Sequence, residues 1–370
     1  MRAFRRLLCA LAAFTALPAA AETQLRLIGV YEAPETLGDK GTIFGGISGI
    51  DYNPRSKKWV LVSDDKSEGG PARFYFADFT YDETGIQGLR KVRNVILRDD
   101  EGRQFADPKV ADVEKREVPD AESIRFVPGT SWFRPRLLWS SEGYKKGGFN
   151  ARLRTIDFKG KVRPDTYRLP ADVRFDPSET VGMRHNAGPE GMSFSSDGKA
   201  LWVSLEGPLI EDGPLPIKGK GTVTRLMKLG DAPMQYAYPL DAIVHQRDGL
   251  QADDGISEVL AVSDTKLWVI ERAGEERAKN DWAFHVKLYE VDTANALAYP
   301  LGQPLPADAV PLKKTLLVDF DGFGMKWIDN LEGMTFGPVL RNGHRSLVMV
   351  SDNNFAKNQL TQFFVFEVLP

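Results

Sequence analysis

A single cysteine, Cys9, occurs in a chain of 370 residues. It falls in an N-terminal stretch where Arg2, Arg5 and Arg6 precede an apolar run from Leu7 to Leu17 and the small residues Ala19-Ala20-Ala21. That order is the layout of a secretory signal, with cleavage expected after Ala21. Arg6-Leu7-Leu8, just ahead of Cys9, is not the small-residue context of a lipid-modified cysteine. The expected mature chain, residues 22–370, therefore carries no thiol. Disulfides, thiolate catalysis and cysteine-held metals are excluded, although an oxidising compartment would permit disulfides. Export to the periplasm or the medium is the expectation.

Histidine is also scarce. The four histidines, at 185, 245, 285 and 344, include no two close in sequence, which argues against a zinc triad. No apolar run reaches the ~20 residues of a bilayer-spanning helix, so no membrane span is expected. An excess of positive charge is missing too. Losing the three leader arginines takes 48 basic residues to 45 against 51 acidic ones, a net charge of about −6, and a nucleic-acid partner is not expected. No G-x-S-x-G elbow, P-loop or dinucleotide fingerprint is present, against serine hydrolysis and nucleotide chemistry. No helical periodicity of any length appears.

What is present is one pattern, five times: an apolar strand, a polar turn, and a second apolar strand ending in acid. The copies read GGISGIDYNPRSKKWVLVSDD from Gly45, DAESIRFVPGTSWFRPRLLWSSE from Asp120, GPEGMSFSSDGKALWVSLE from Gly188, GISEVLAVSDTKLWVIE from Gly255, and NLEGMTFGPVLRNGHRSLVMVSD from Asn330. With Ser48, Glu122, Glu190, Glu258 and Glu332 taken as equivalent, the spacings are 74, 68, 68 and 74 residues. A third strand follows in each unit (RFYFADF from Arg73, RLRTIDF from Arg152, TRLMKLG from Thr224, VKLYEVD from Val286, FFVFEV from Phe363), and a fourth fits in four units. Short strands rich in Val, Leu, Phe and Trp between Gly, Pro and Asp turns describe antiparallel sheets, and repeated four-stranded units describe an all-β propeller. Five blades are expected, or six if the insertion from Ile210 to Gly255 hides one. The N-terminal strand LRLIGVY, from Leu25, is expected to complete the last blade and so close the ring. One domain, 22–370, and a monomer follow.

In a propeller the start of each inner strand and the end of its antiparallel neighbour share one face. Glu122, Glu190, Glu258 and Glu332 take the first place, and Asp64, Glu142, Glu206, Glu271 and Asp352 the second. Two carboxylates ~4 Å apart repel by about 4 kcal/mol at an effective dielectric of 20, so these nine need raised pKa values, basic neighbours or a cation. An all-oxygen set favours Ca²⁺, with Mg²⁺ as the other candidate. The same acids also suit a structural role, accepting backbone N–H groups in turns or pairing with arginines of the next blade. On the same face Arg73, Arg152, Arg154, Arg225, Arg272 and Lys287 could bind phosphate oxygens or simply balance the acids. His185, in Met183-Arg184-His185-Asn186 before Glu190, is a candidate acid or base, or an exposed loop histidine. Tryptophans 59, 132, 139, 202 and 268 lie inside apolar runs and are expected to pack between blades.

The repeated E-G-[MI]-x-F followed by L-W-V-S-x-E, the N-x-G-x-E-G approach to Glu190, the V-I-E-R of the fourth unit and the terminal V-S-D-N-N-F resemble the phytase-like, "esterase-like activity of phytase" family of exported bacterial propellers. The resemblance spans nearly all of the mature chain. It implies a phosphodiesterase- or phosphatase-type site among Glu122, Glu142, Glu190, Glu206, Glu258, Glu271, Glu332 and Asp352, with Ser48 a departure in the first repeat. The leading expectation is a Ca²⁺-dependent phosphoester hydrolase with Glu190 or Glu142 as base. A metal-dependent lactonase or carboxylesterase, and a non-catalytic binding propeller with a structural ion, are the alternatives.

Overall fold

The computed structural model describes residues 23–39, 41–130 and 135–369. The proposed signal, Cys9 and Trp132 lie outside them. Five antiparallel sheets form a five-bladed β-propeller, each sheet running from an inner strand outwards. Blade one comprises Ile47–Asn53, Lys58–Ser63, Arg73–Asp82 and Gly85–Ile96; blade two Ala121–Phe126, Arg136–Ser141, Arg152–Asp157 and the short Val162–Arg163. Blade three comprises Pro189–Phe194, Ala200–Leu205, Thr222–Gly230 and Met234–Leu240, with Tyr299–Pro300 added at its edge. Blade four comprises Ala252–Ala261, Lys266–Ala278, Asp281–Asp292 and Lys314–Asp319.

Blade five takes Asn330–Phe336, Arg345–Asp352 and Thr361–Leu369 from the end of the chain and its outer strand from the beginning, Gln24–Ala33. That N-terminal strand pairs with the last one from Gln24 opposite Leu369 to Ala33 opposite Thr361, which is the closure the sequence predicts. The insertion after Ile210 supplies the two outer strands of blade three, so among the described residues it holds no sixth blade.

Blades pack face to face, and this explains the continuous apolar runs of the second strands. Leu137-Leu138-Trp139 and Leu201-Trp202-Val203 are buried on both faces, each face meeting a different blade. One apolar cluster fills each of the five blade interfaces. Trp59, Trp139, Trp202 and Trp268 are among the largest fully buried side chains, one in each of blades one to four, and pack in these clusters as expected.

Around the axis the inner strands approach so closely that side chains are excluded at some positions. A Cβ on Gly191 would lie 2.4 Å from the Val259 amide nitrogen, and one on Gly49 would lie 2.8 Å from Ser123 Cα. Glycine after the axial residue, as in Ser48-Gly49, Glu190-Gly191 and Glu332-Gly333, is what lets five strands meet there.

Candidate functional site

Each inner strand carries a register irregularity at its start. Ile47 faces Ser63 and Gly49 faces Val62, leaving Ser48 as the extra residue. The break falls on Ser257 in blade four and Glu332 in blade five, and it spans Glu122-Ser123 and Glu190-Gly191 in blades two and three. A bulge of this kind turns its residue out of the ladder. Repeated five times, it aims Ser48, Glu122, Glu190, Ser257 and Glu332 at one mouth of the axis.

A second tier comes from the residues that end the second strands. The amides of Asp64, Glu142 and Glu206 donate to the carbonyls of Gly46, Asp120 and Gly188 at 2.8, 2.9 and 2.8 Å, the same bond in three blades. Asp352 pairs with Asn330 and Arg272 with Gly255 at the equivalent place. The two tiers form a cup. Ligand oxygens of Asp120, Glu122 and Glu142 lie within 4.8 Å of one another, as do those of Glu142, Glu190 and Glu206, so Glu142 joins both groups.

Two cations face this acid. Lys66 bonds Asp120 at 2.7 Å, and Arg272 bonds Glu206 at 2.7 Å and Asp253 at 3.2 Å. They leave an excess of carboxyls over bases. Burial, reinforced by mutual repulsion, pushes Glu122, Glu190, Asp64 and Asp352 well above the usual carboxylate range. Burial likewise raises Glu142 to about 7, against a bond from the Gly188 amide, and Glu206 to about 8, against the pull of Arg272. Asp120 and Glu332 are raised for the same reason. Glu142 and Glu190 lie within hydrogen-bonding reach, as do Asp120 and Glu122, and two carboxylates so placed need a shared proton or a cation between them.

The floor of the cup is closed by a different pair. Glu258 has no exposed surface and pairs with Arg125, which also donates to the carbonyls of Ile50, Met192 and Met334. Glu258 accepts from the amides of Met192 and Val259. Its carboxyl is raised to about 7 by burial despite Arg125.

Two of the expected ring residues are therefore elsewhere. Glu258 sits one residue past the bulge and below the ring, with Ser257 in the axial place. Glu271 faces the interface of blades three and four, where Tyr238 Oη, the Asp241 amide and Lys314 Nζ donate to it at 3.0, 2.7 and 2.7 Å. Its neighbour Arg272 occupies the ring, so the mouth gains a guanidinium where an acid was expected. Of the proposed phosphate-binding residues only Arg272 reaches the ring.

The other basic residues lie on the third strands, one strand farther from the axis, and are engaged there. Arg73 and Arg225 have no exposed surface: Arg73 bonds Asp65, Tyr75 and the Ile43 carbonyl, and Arg225 bonds Asp212, Asp172 and Gln235. Arg152 pairs with Asp100 and Asp165, Arg154 with Asp100 and Glu117, and Lys287 with Asp241. His185 is exposed on the loop near enough to Asp120 to act on its charge. Asp120, Lys66, Asn330 and Ser257 belong to the cup and were not among the expected residues. Aligning LWVSLE with LWVIER puts Arg272 opposite Glu206, and that comparison holds the missing signal.

Among the described residues no helix is long and apolar enough to cross a membrane. Solved structures to which the chain shows some similarity include an α-L-arabinanase of Cellvibrio cellulosa, 13% identical over 86% of this chain and 91% of that one, with a TM-score of 0.41. The GH43 endo-arabinanase of Bacillus licheniformis is 13% identical over 89% and 94%, at 0.37, and a glycosyl hydrolase of Bacteroides ovatus 12% identical over 87% and 83%, at 0.41. No curated protein matches the chain. The profile of one family does match, from residue 42 to residue 355, a span that contains all five inner strands and every residue of the acidic cup. The chain belongs to the phytase-like family described by the esterase-like activity of phytase.

Proposed function

We propose that this protein is an exported hydrolase of phosphoesters that works with a divalent cation, Ca²⁺ or Mg²⁺, held in the axial cup. The observation that carries the reading is the convergence of Asp64, Asp120, Glu122, Glu142, Glu190, Glu206, Glu332 and Asp352 on one mouth against, among the described residues, Lys66 and Arg272 alone. The donor set fits such an ion. It is all oxygen, and Asp64 Oδ1 and Asn330 Oδ1 are buried without a hydrogen-bond partner, as unfilled ligand positions would be. When bound, the ion neutralises the acids and polarises an ester oxygen. The family's description supports ester hydrolysis in general; the phosphoester is our reading.

The chain's own groups supply the rest. Glu142 is placed to take a proton from water, and Glu190, within hydrogen-bonding reach of it, can share that proton. Arg272, fixed by Glu206 and Asp253, offers positive charge to an anionic substrate. His185 stands at the rim, where a leaving group would depart. The buried Arg125–Glu258 pair lies below the ring, so the acids face the mouth.

The test is hydrolysis of a generic phosphodiester, a phosphomonoester, an acyl ester and a lactone by the mature protein, with Glu142→Gln and Glu190→Gln beside it. We expect phosphoester turnover that chelator removes and Ca²⁺ restores, falling about 100-fold in Glu142→Gln. Unchanged phosphodiester turnover in both variants sinks the assignment. A profile led by acyl ester or lactone would move the substrate to the carboxyl-ester class.

A further inference from the structure

Two of the four histidines meet, though neither lies in the cup. His245 belongs to the loop after Leu240 of blade three, and His285 to the third strand of blade four. Their rings stack with centroids 3.8 Å apart and planes 14° from parallel. Asp321, in the turn Phe320–Phe323 that follows blade four's outer strand, places Oδ2 2.8 Å from His285 Nδ1. One ligand atom from each of the three lies within 4.8 Å of the others.

The other face of His285 is as informative. Its Nε2 is buried without a hydrogen-bond partner, and the nearest acid, Glu275 Oε2, stands 3.8 Å away. That gap is too long for a hydrogen bond. Nε2 lies across the ring from Nδ1, so it can keep the ring's proton, facing Glu275, while Nδ1 takes an ion.

We propose that His245, His285 and Asp321 form a second metal site that takes a transition-metal ion of the Zn²⁺ class. Two imidazole nitrogens and a carboxylate oxygen suit Zn²⁺, whereas the all-oxygen cup suits Ca²⁺ or Mg²⁺, so the two centres differ in the metals they select. The ion replaces the proton between His285 and Asp321. Asp321 is about half exposed, which leaves a way in. Three separate segments would be joined. His285 pairs with Ala273, the residue after Arg272, so the ion clamps the loop and the blade-four hairpin next to the ring's guanidinium.

The experiment is a calorimetric Zn²⁺ titration of the mature protein with Ca²⁺ in excess, repeated on His285→Ala, His245→Ala and Asp321→Asn. We expect one Zn²⁺ per chain in the unmodified protein, no binding at this site in His285→Ala, and at least tenfold weaker binding in the other two. Melting temperatures without Zn²⁺ should match throughout, which shows that each variant folds. As a second readout, Cu²⁺ bound to the unmodified protein should show electron-paramagnetic coupling to two imidazole nitrogens, and to one in His245→Ala. Absence of Zn²⁺ binding to the unmodified protein, or equal binding in both histidine variants, overturns the site. Neither outcome depends on the cup being catalytic.

Discussion

Arg272 stands where every other blade ends its second strand in a carboxylate. Its charge offsets Glu206 and Glu332 and reaches Glu190. Replacing it with alanine should therefore act in two directions at once. Ca²⁺ should bind about tenfold more tightly, since one repulsive neighbour is gone, while the Michaelis constant for an anionic phosphoester should rise. Paired calcium titration and kinetics would check this, and a loss of both affinities would assign Arg272 a scaffolding role instead. The same residue shows where the sequence stops being legible. The acids at 64, 142, 206 and 352 follow directly from the repeat, but a one-residue slip in the fourth repeat puts Arg272 in place of Glu271 and Ser257 in place of Glu258. Neighbouring residues in a strand face opposite ways, so a slip of one carries a side chain from the mouth to a blade interface.

The bulge explains why that slip is hard to see from outside. It adds a residue to each inner strand at the place where the repeat is being aligned, and nothing in the identities Ser, Glu, Glu, Ser, Glu marks it. The glycine behind it is the better signal. Gly191→Ala would set a Cβ 2.4 Å from the Val259 nitrogen and 2.7 Å from Glu258 Cα, both backbone atoms that cannot rotate away. We expect a loss of about 1–3 kcal/mol or more in urea unfolding, together with a displaced Glu190 and reduced turnover. Stability within a few tenths of a kcal/mol of the parent would show that the axis is looser than the geometry requires. Strand order, the five-fold repeat and the N-terminal closing strand were all readable, because each rests on a run of residues rather than on a single register.

At the scale of the whole molecule the propeller gathers acids from four of its five blades and buries them, and that placement, more than any one residue, sets the chemistry. The meeting of His245 with His285 is an event of the same scale. It depends on how a loop of one blade lies on the next, and the spacing of histidines in sequence holds no trace of it. Burial also fixes the sign of the pH response. Glu142 and Glu206 are raised from 4.5 to about 7 and about 8, so between pH ~4.5 and ~8 the folded protein holds protons that the unfolded chain releases. Stability must then fall as pH rises through that window, by on the order of 3 kcal/mol for Glu142 alone. A cation that replaces those protons removes the loss. The direct test is melting temperature from pH 4.5 to 8, in chelator and in Ca²⁺, on the mature protein. The account predicts a steady decline in chelator and a calcium-induced gain that grows with pH. A melting temperature that rises with pH in chelator, or the same curve with and without Ca²⁺, would contradict it.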